Sequence, residues 1–311
     1  MVCGILLLDK PRGVSSNAAL QRVRRLLRAD KAGHVGSLDP LATGMLPVCL
    51  GEATKIAGDI LSGRKRYRFT VALGSRTATG DSEGAVVESL PVPVFDEAAL
   101  EAVLQRFRGR TTQIPPMYSA IKRDGQPLYK LARAGMEVER KPRDIEVDEL
   151  RVVGRGAPPA RDASDAAAPP DGAQMRLELE ALCSKGTYIR VLAEDIARAL
   201  GTCGHVVELR RLAVEPFDPA AMQTMEDVTA RAERGEPPVL VAPDLAIPHL
   251  PPVRLSAADA ARVLHGQAVA TPVELPPGRV RLYDAEGRFF GIGEADGFGR
   301  VQPRRLFVMA S

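Results

Sequence analysis

Tryptophan is absent from this chain and aromatic residues make up only 4% of it, so any core must be built from aliphatic side chains. Long apolar runs are missing as well. The stretch Ile5 to Leu8 is followed at once by Asp9 and Lys10, too short for a signal peptide or a membrane span. Only four cysteines occur, Cys3, Cys49, Cys183 and Cys203, far apart, with no Cys-x-x-Cys pair and no histidine at zinc-ligand spacing. No metal is therefore expected, and a cytoplasmic, reduced protein is. Excess charge is lacking too: a net +3 does not argue for nucleic-acid binding. Arginine outnumbers lysine by 34 to 8, a bias that suits phosphate contacts but equally follows from a GC-rich genome. What is present is 45% hydrophobic residues in 311, enough for one large domain with a small one, or two of medium size.

The most informative stretch is Gly33-His34-Val35-Gly36-Ser37-Leu38-Asp39-Pro40-Leu41-Ala42-Thr43-Gly44, which reads as neither helix nor strand. Its glycines open backbone conformations closed to other residues, and Pro40 drives Asp39 into an extended geometry. Asp39 is thereby aimed. An isolated Asp-Pro is an ordinary turn pair, so the weight of this reading rests on the surroundings.

Gly4 to Asp9 reads as a buried strand closed by the Lys10-Pro11-Arg12-Gly13 turn, and Ser15 or Ser16 caps a helix running to about Ala29. Arg22, Arg24, Arg25 and Arg28 form that helix's outer face. Tyr67 to Leu73 alternates as a half-buried strand, with Tyr67 at its start. Asp96 caps a scaffold helix. Residues 122–143 carry seven Lys or Arg against three acids and read as an exposed basic insertion, whereas 156–173 is low-complexity loop. Met175 to Leu182 alternates and delivers Cys183-Ser184-Lys185-Gly186-Thr187-Tyr188-Ile189-Arg190 to the head of a helix ending near Leu200. Leu209 and Arg210-Arg211 follow in a strand. After the proline-rich 247–252 linker, a short helix and several strand-like pieces make a small, mostly β module.

The Asp39 loop, Lys10-Pro11-Arg12-Gly13, Arg66-Tyr67-Arg68-Phe69, Pro115-Pro116-Met117-Tyr118-Ser119-Ala120, the 183–190 motif and Leu209-Arg210-Arg211-Leu212 occur in the order found in the bacterial tRNA pseudouridine-55 synthases. The chain resembles that TruB-type family from about Gly4 to Leu212 and more weakly beyond. Its loop has Ser37 where the family usually has Thr or Ala, a small-for-small change. The resemblance implies an α+β fold: a mixed, largely antiparallel sheet with flanking helices over 1–249, a basic insertion at about 120–146, and a PUA-like RNA-binding module over 250–311. It implies a monomer acting on the TΨC arm of tRNA, isomerising uridine 55 to pseudouridine without a cofactor.

In that reading Asp39 is the essential carboxylate, either a nucleophile at C1′ or a base at C2′. Arg190 keeps it ionised, forking onto both oxygens. Tyr67 and Tyr188 line the uracil pocket, Tyr67 with a possible part in C5 proton removal, and Leu209 supplies an apolar wall. His34 contacts RNA where the flipped base was. Lys10 and Lys185 hold phosphates, although Lys10 equally suits strand-to-turn geometry. Two rival classes remain, a binding-only RNA protein and an Asp-dependent hydrolase. A glycosidase would need a second catalytic carboxylate, and no other acid stands in a comparable loop.

Overall fold

A computed structural model describes residues 2–123, 125–156, 175–271 and 274–307. Its centre is a nine-stranded mixed sheet. In spatial order the strands are Gln223–Thr224, Gly4–Lys10, Thr43–Leu50, Gly204–Val214, Lys65–Leu73, Arg176–Cys183, Arg143–Gly156 and Gly109–Gln113, with Ala32–His34 also pairing on Thr43–Leu50. Pairing is antiparallel except at Gly4–Lys10 with Gln223–Thr224 and at Gly204–Val214 with Thr43–Leu50. The expected mixed, largely antiparallel α+β architecture is what the chain adopts.

Burial explains the strand patterns. Gly4–Lys10 is apolar without alternation because both faces are covered: Leu6 and Leu8 pack under the helices, Ile5 and Leu7 into a second core on the opposite side. Lys65–Leu73 alternates because only one face is covered. Tyr67, Phe69 and Val71 join the helix-side core, while Arg66 and Arg68 reach Glu180 on the open face. Ser15 caps the Ser16–Leu26 helix by accepting from Ala18 N, and Ala19, Leu20 and Val23 are its buried stripe. That helix stops three residues earlier than the sequence suggests, and Arg28 turns the chain with a left-handed φ of 49°. The basic insertion is partly regular, with a Lys122–Arg123/Gln126–Pro127 hairpin and a Leu128–Arg133 helix. Nearly all of the 156–173 loop lies outside the described residues.

The parallel junction is short, just Arg210 opposite Thr43 and Arg211 opposite Gly44. The sheet is thus nearly split there, and the Asp39 loop runs into the seam. Gly44 has φ 99°, and a β-carbon on it would lie 2.2 Å from the Arg211 carbonyl oxygen. No other residue fits without moving one of the strands.

The C-terminal part forms a separate five-stranded sheet, Pro252–Arg254, Gly278–Tyr283, Phe289–Ala295, Arg300–Leu306 and Val269–Ala270, with the Ala257–Leu264 helix. It does not hang free. Ile292 and Phe307 belong to the same core as Ile5, Leu7, Met45 and Ile56, and Arg279 forms a two-pronged pair with Asp59.

Candidate active site

The Asp39 loop is shorter than the sequence reading implied, because Gly33 and His34 belong to one strand and Thr43 and Gly44 to another. Residues 35–42 remain, and they are tied down at nearly every step. Buried Ser16 accepts from Leu38 N at 2.7 Å and donates to Leu38 O at 2.9 Å. The Pro40 carbonyl accepts from Gly13 N at 2.8 Å, and Ala42 N donates to Asp39 O at 3.1 Å. Asp39 is left as the projecting side chain, 41% exposed.

Arg190, in the first turn of the Ile189–Ala199 helix, meets it. Its Nε donates to Asp39 Oδ2 at 2.9 Å, and its side chain is 5% exposed. The expected two-oxygen fork does not form. Nη1 donates to Thr79 O and Nη2 to Tyr118 O at 2.7 Å, so two chain segments have claimed the fork and only Nε remains for the carboxylate. The nearly buried Asp81 carboxylate stands 3.6 Å from the same Nε. Arg190 is therefore a braced cation, with a satisfied donor on every nitrogen, rather than the surface residue its helix position alone would suggest.

Asp39 and Arg190 share a cleft of about 340 Å³ with Tyr67, Tyr188, Leu209, Lys185, Lys65, Ser119 and Arg211. Tyr67 lies deep in it, with burial pushing its hydroxyl above 10 and Arg211 opposing the shift. Tyr67 and Arg211 are opposite each other on neighbouring strands, as are Phe69 and Leu209. Tyr188 is held by its own peptide groups: Gln113 accepts from its N–H at 2.8 Å and donates to its carbonyl at 3.1 Å. Burial raises the Tyr188 hydroxyl too. Lys185 is exposed at the rim, 3.3 Å from Ser62 Oγ.

Lys10 takes the second of its two readings, and His34 a different place. Lys10 is 0% exposed, and its ammonium donates to Pro11 O at 2.9 Å, Val14 O at 2.6 Å and Pro40 O at 3.4 Å. That is the strand-to-turn role, with the ammonium enclosed by three backbone carbonyls. Burial lowers its pKa to about 8. His34 lies in a strand, not in the loop, two residues before the cleft-lining Gly36; burial and then Arg211 hold its imidazole below the usual value, and its buried Nδ1 has no hydrogen-bond partner among the described residues.

Arg211, Asp81 and Gln113 were not singled out by sequence. Arg211 is 1% exposed, donating from Nε to Met45 O at 2.7 Å and from Nη2 to Gly36 O at 2.8 Å, which joins the seam to the Asp39 loop. Its only advance signal was the Arg210-Arg211 pair. Among the described residues no cluster of three or more His, Cys, Asp or Glu could hold a metal ion. No helix there is long and apolar enough to cross a membrane.

This architecture is found in solved structures. A chain in a Cbf5-Nop10-Gar1 complex matches with a TM-score of 0.67 over 99% of this chain and 84% of its own, at 24% identity. One in an H/ACA RNP bound to a substrate RNA containing 2′-deoxyuridine gives 0.68 over 98% and 85%, at 21%. The class is that of the pseudouridine synthase fold. Family models then narrow it: "TruB family pseudouridylate synthase (N terminal domain)" matches residues 24–189, "tRNA pseudouridylate synthase B C-terminal domain" 190–239 and "Pseudouridine synthase II TruB, C-terminal" 251–307. The "tRNA pseudouridine synthase B" of Stutzerimonas stutzeri (strain A1501) is 49% identical, over 98% of this chain and 95% of its own length. That of Aromatoleum aromaticum is 45% identical, over 98% and 93%. The chain belongs to the TruB family of pseudouridylate synthases, and is thus an isomerase.

Proposed function

We propose that this enzyme converts uridine 55 in the TΨC arm of tRNA to pseudouridine, acting as a monomer in the cytoplasm with Asp39 as its catalytic carboxylate. The tRNA substrate has support from relatives of 49% and 48% identity, each named for tRNA pseudouridine synthesis. The observation that carries the site is the Asp39–Arg190 pair. Oδ2 is engaged at 2.9 Å while Oδ1 accepts no hydrogen bond among the described residues, so one oxygen faces the cleft ready to react.

Three events make up the isomerisation: the N1–C1′ bond breaks, the uracil turns, and C5 bonds to C1′ before losing its proton. The elements of uridine are conserved throughout, and no electrons enter or leave. An ionised Asp39 begins it either by attacking C1′, giving an ester, or by taking the C2′ proton, giving a glycal. Arg190 stabilises negative charge on the carboxylate in both cases. The nucleotide has to leave its stack to arrive, and Tyr67 and Tyr188 offer it aromatic surfaces, with Leu209 as the apolar wall. Lys185 at the rim meets backbone phosphate, and His34 contacts the arm that the base vacates. We assign 1–249 to catalysis and 250–311 to a PUA-like accessory RNA contact.

The test is incubation with an unmodified tRNA transcript and mapping of pseudouridine at single-nucleotide resolution. Product is expected at position 55 with wild type and none with Asp39→Asn, which should bind tRNA within about tenfold of wild type because affinity resides in phosphate contacts. Turnover by Asp39→Asn would remove the carboxylate from the mechanism. Product confined to another uridine would remove the T-arm assignment.

A further inference from the structure

Ser119 stands in the wall of the same cleft, 5% exposed. Its main chain is fixed on both sides: its N–H donates to Met117 O at 2.9 Å, and its carbonyl accepts from Tyr129 N at 3.0 Å. The carbonyl before it, that of Tyr118, is the one Arg190 Nη2 holds at 2.7 Å. Ser119 is therefore positioned by the residue that braces Asp39. Its hydroxyl, however, has no hydrogen-bond partner among the described residues. Tyr188 is its polar neighbour, near enough for the Ser119 hydroxyl to oppose the rise that burial imposes on the Tyr188 hydroxyl, yet the contact falls short of hydrogen-bond geometry.

A buried hydroxyl without a partner is costly, and folded proteins rarely keep one. Two other polar side chains of the site are already engaged. Gln113 spends its amide on Tyr188, and Arg190 has a partner for each nitrogen. The unpaired atom thus belongs to a rigid segment and borders the space that a base must occupy. Uracil presents two carbonyl oxygens and a single N–H, and a hydroxyl can donate to either oxygen.

We propose that Ser119 Oγ is a substrate contact, donating a hydrogen bond to a carbonyl oxygen of the extruded uracil and so fixing the ring beside Tyr67 and Tyr188. This rests on pseudouridine synthesis by the chain, not on position 55 or on tRNA.

The enzyme's sites are first mapped in total RNA, and an oligonucleotide carrying a mapped site serves as substrate. A site other than position 55 would end the T-arm reading and leave this test intact. Ser119→Ala is expected to lower single-turnover kcat/KM roughly 3- to 10-fold, the range for one neutral hydrogen bond, with a melting temperature equal to or above wild type. Unchanged kinetics would overturn the proposal, as would a fall in melting temperature, which would give the hydroxyl a place in the fold instead. In a Tyr188→Phe background the same loss is expected; its disappearance would mean that Ser119 acts on Tyr188 and not on the base. Finally, 2-thiouridine or 4-thiouridine at the target weakens one acceptor at a time. One of the two should narrow the gap between wild type and Ser119→Ala, and if neither does, the hydroxyl does not donate to a base carbonyl.

Discussion

Arg190 donates from Nε to Asp39 Oδ2 at 2.9 Å, joining residues 151 positions apart, while its other two nitrogens hold the Thr79 and Tyr118 carbonyls. The guanidinium thus fixes three chain segments around one carboxylate. A lysine in its place keeps the charge but cannot donate in all three directions.

Arg190→Lys is accordingly expected to slow the single-turnover rate by about 100-fold, the scale of a misplacement near 1 Å. RNA affinity should stay within about tenfold, since the residue is buried and faces the carboxylate. Rapid-quench kinetics at saturating RNA checks this. A rate within threefold of wild type would show that charge alone suffices and the bracing is dispensable.

Tyr67 separates stacking from proton chemistry. Because burial pushes its hydroxyl above 10, the residue is a neutral phenol at physiological pH. Tyr67→Ala should weaken binding of the target nucleotide by about 1–3 kcal/mol, the worth of a base–aromatic stack, and Tyr67→Phe should not. The wild-type rate should show no Tyr67 titration between pH 6 and 9. If Tyr67→Phe loses rate at unchanged affinity, the hydroxyl takes part in removing the C5 proton.

Lys10 makes a prediction about pH. Its pKa falls from 10.5 to about 8 on burial, so between those values the unfolded chain binds more protons than the folded one. Stability contributed by Lys10 therefore rises with pH across that window and is flat below it, where both states are protonated. Relative to Lys10→Met, wild type should gain up to about 1.4 kcal/mol per pH unit from pH 8 to 10 in chemical denaturation. The salt dependence of RNA binding should be the same for both proteins, because a buried ammonium meets no phosphate. A shallower salt slope in the variant would return Lys10 to the RNA surface.

Much of the site was legible because its residues advertise themselves locally. Asp39 sits among glycines and beside a proline, and Tyr188 and Arg190 stand at the head of a recognisable helix. What sequence could not supply was partnership across the fold. Arg211 and Lys10 are written like any surface cation, and only the three-dimensional packing buries them under backbone carbonyls. The same holds for Arg190, whose fork was claimed by the carbonyls of Thr79 and Tyr118, residues 111 and 72 positions away. Ile5 to Leu8 announced a buried strand, but not that its second face would be covered from nearly 300 residues downstream, by Ile292 and Phe307.

That shared core bears on the C-terminal module, which from sequence reads as small and mostly β and which the family resemblance casts as RNA-binding. Phe307 is 2% exposed, its ring centroid is 5.0 Å from that of Phe289, and it packs into the core of Ile5, Leu7 and Met45. Lys55 extends its ammonium to Leu306 O, and Arg279 engages Asp59 with both terminal nitrogens. Cutting the chain after Leu250 would uncover this apolar surface on the catalytic body. We therefore expect the truncated protein to melt well below the intact one. Phe307→Ala alone should cost about 3–5 kcal/mol, the usual range for a buried phenylalanine. Arg300, on the same module, carries little packing, so Arg300→Ala should leave the melting temperature unchanged and weaken RNA binding in a salt-dependent way if the surface touches phosphate. Denaturation and binding measured on both point variants separate the two contributions. Should Phe307→Ala lose less than 1 kcal/mol, the interface is a loose contact and the module is an independent unit.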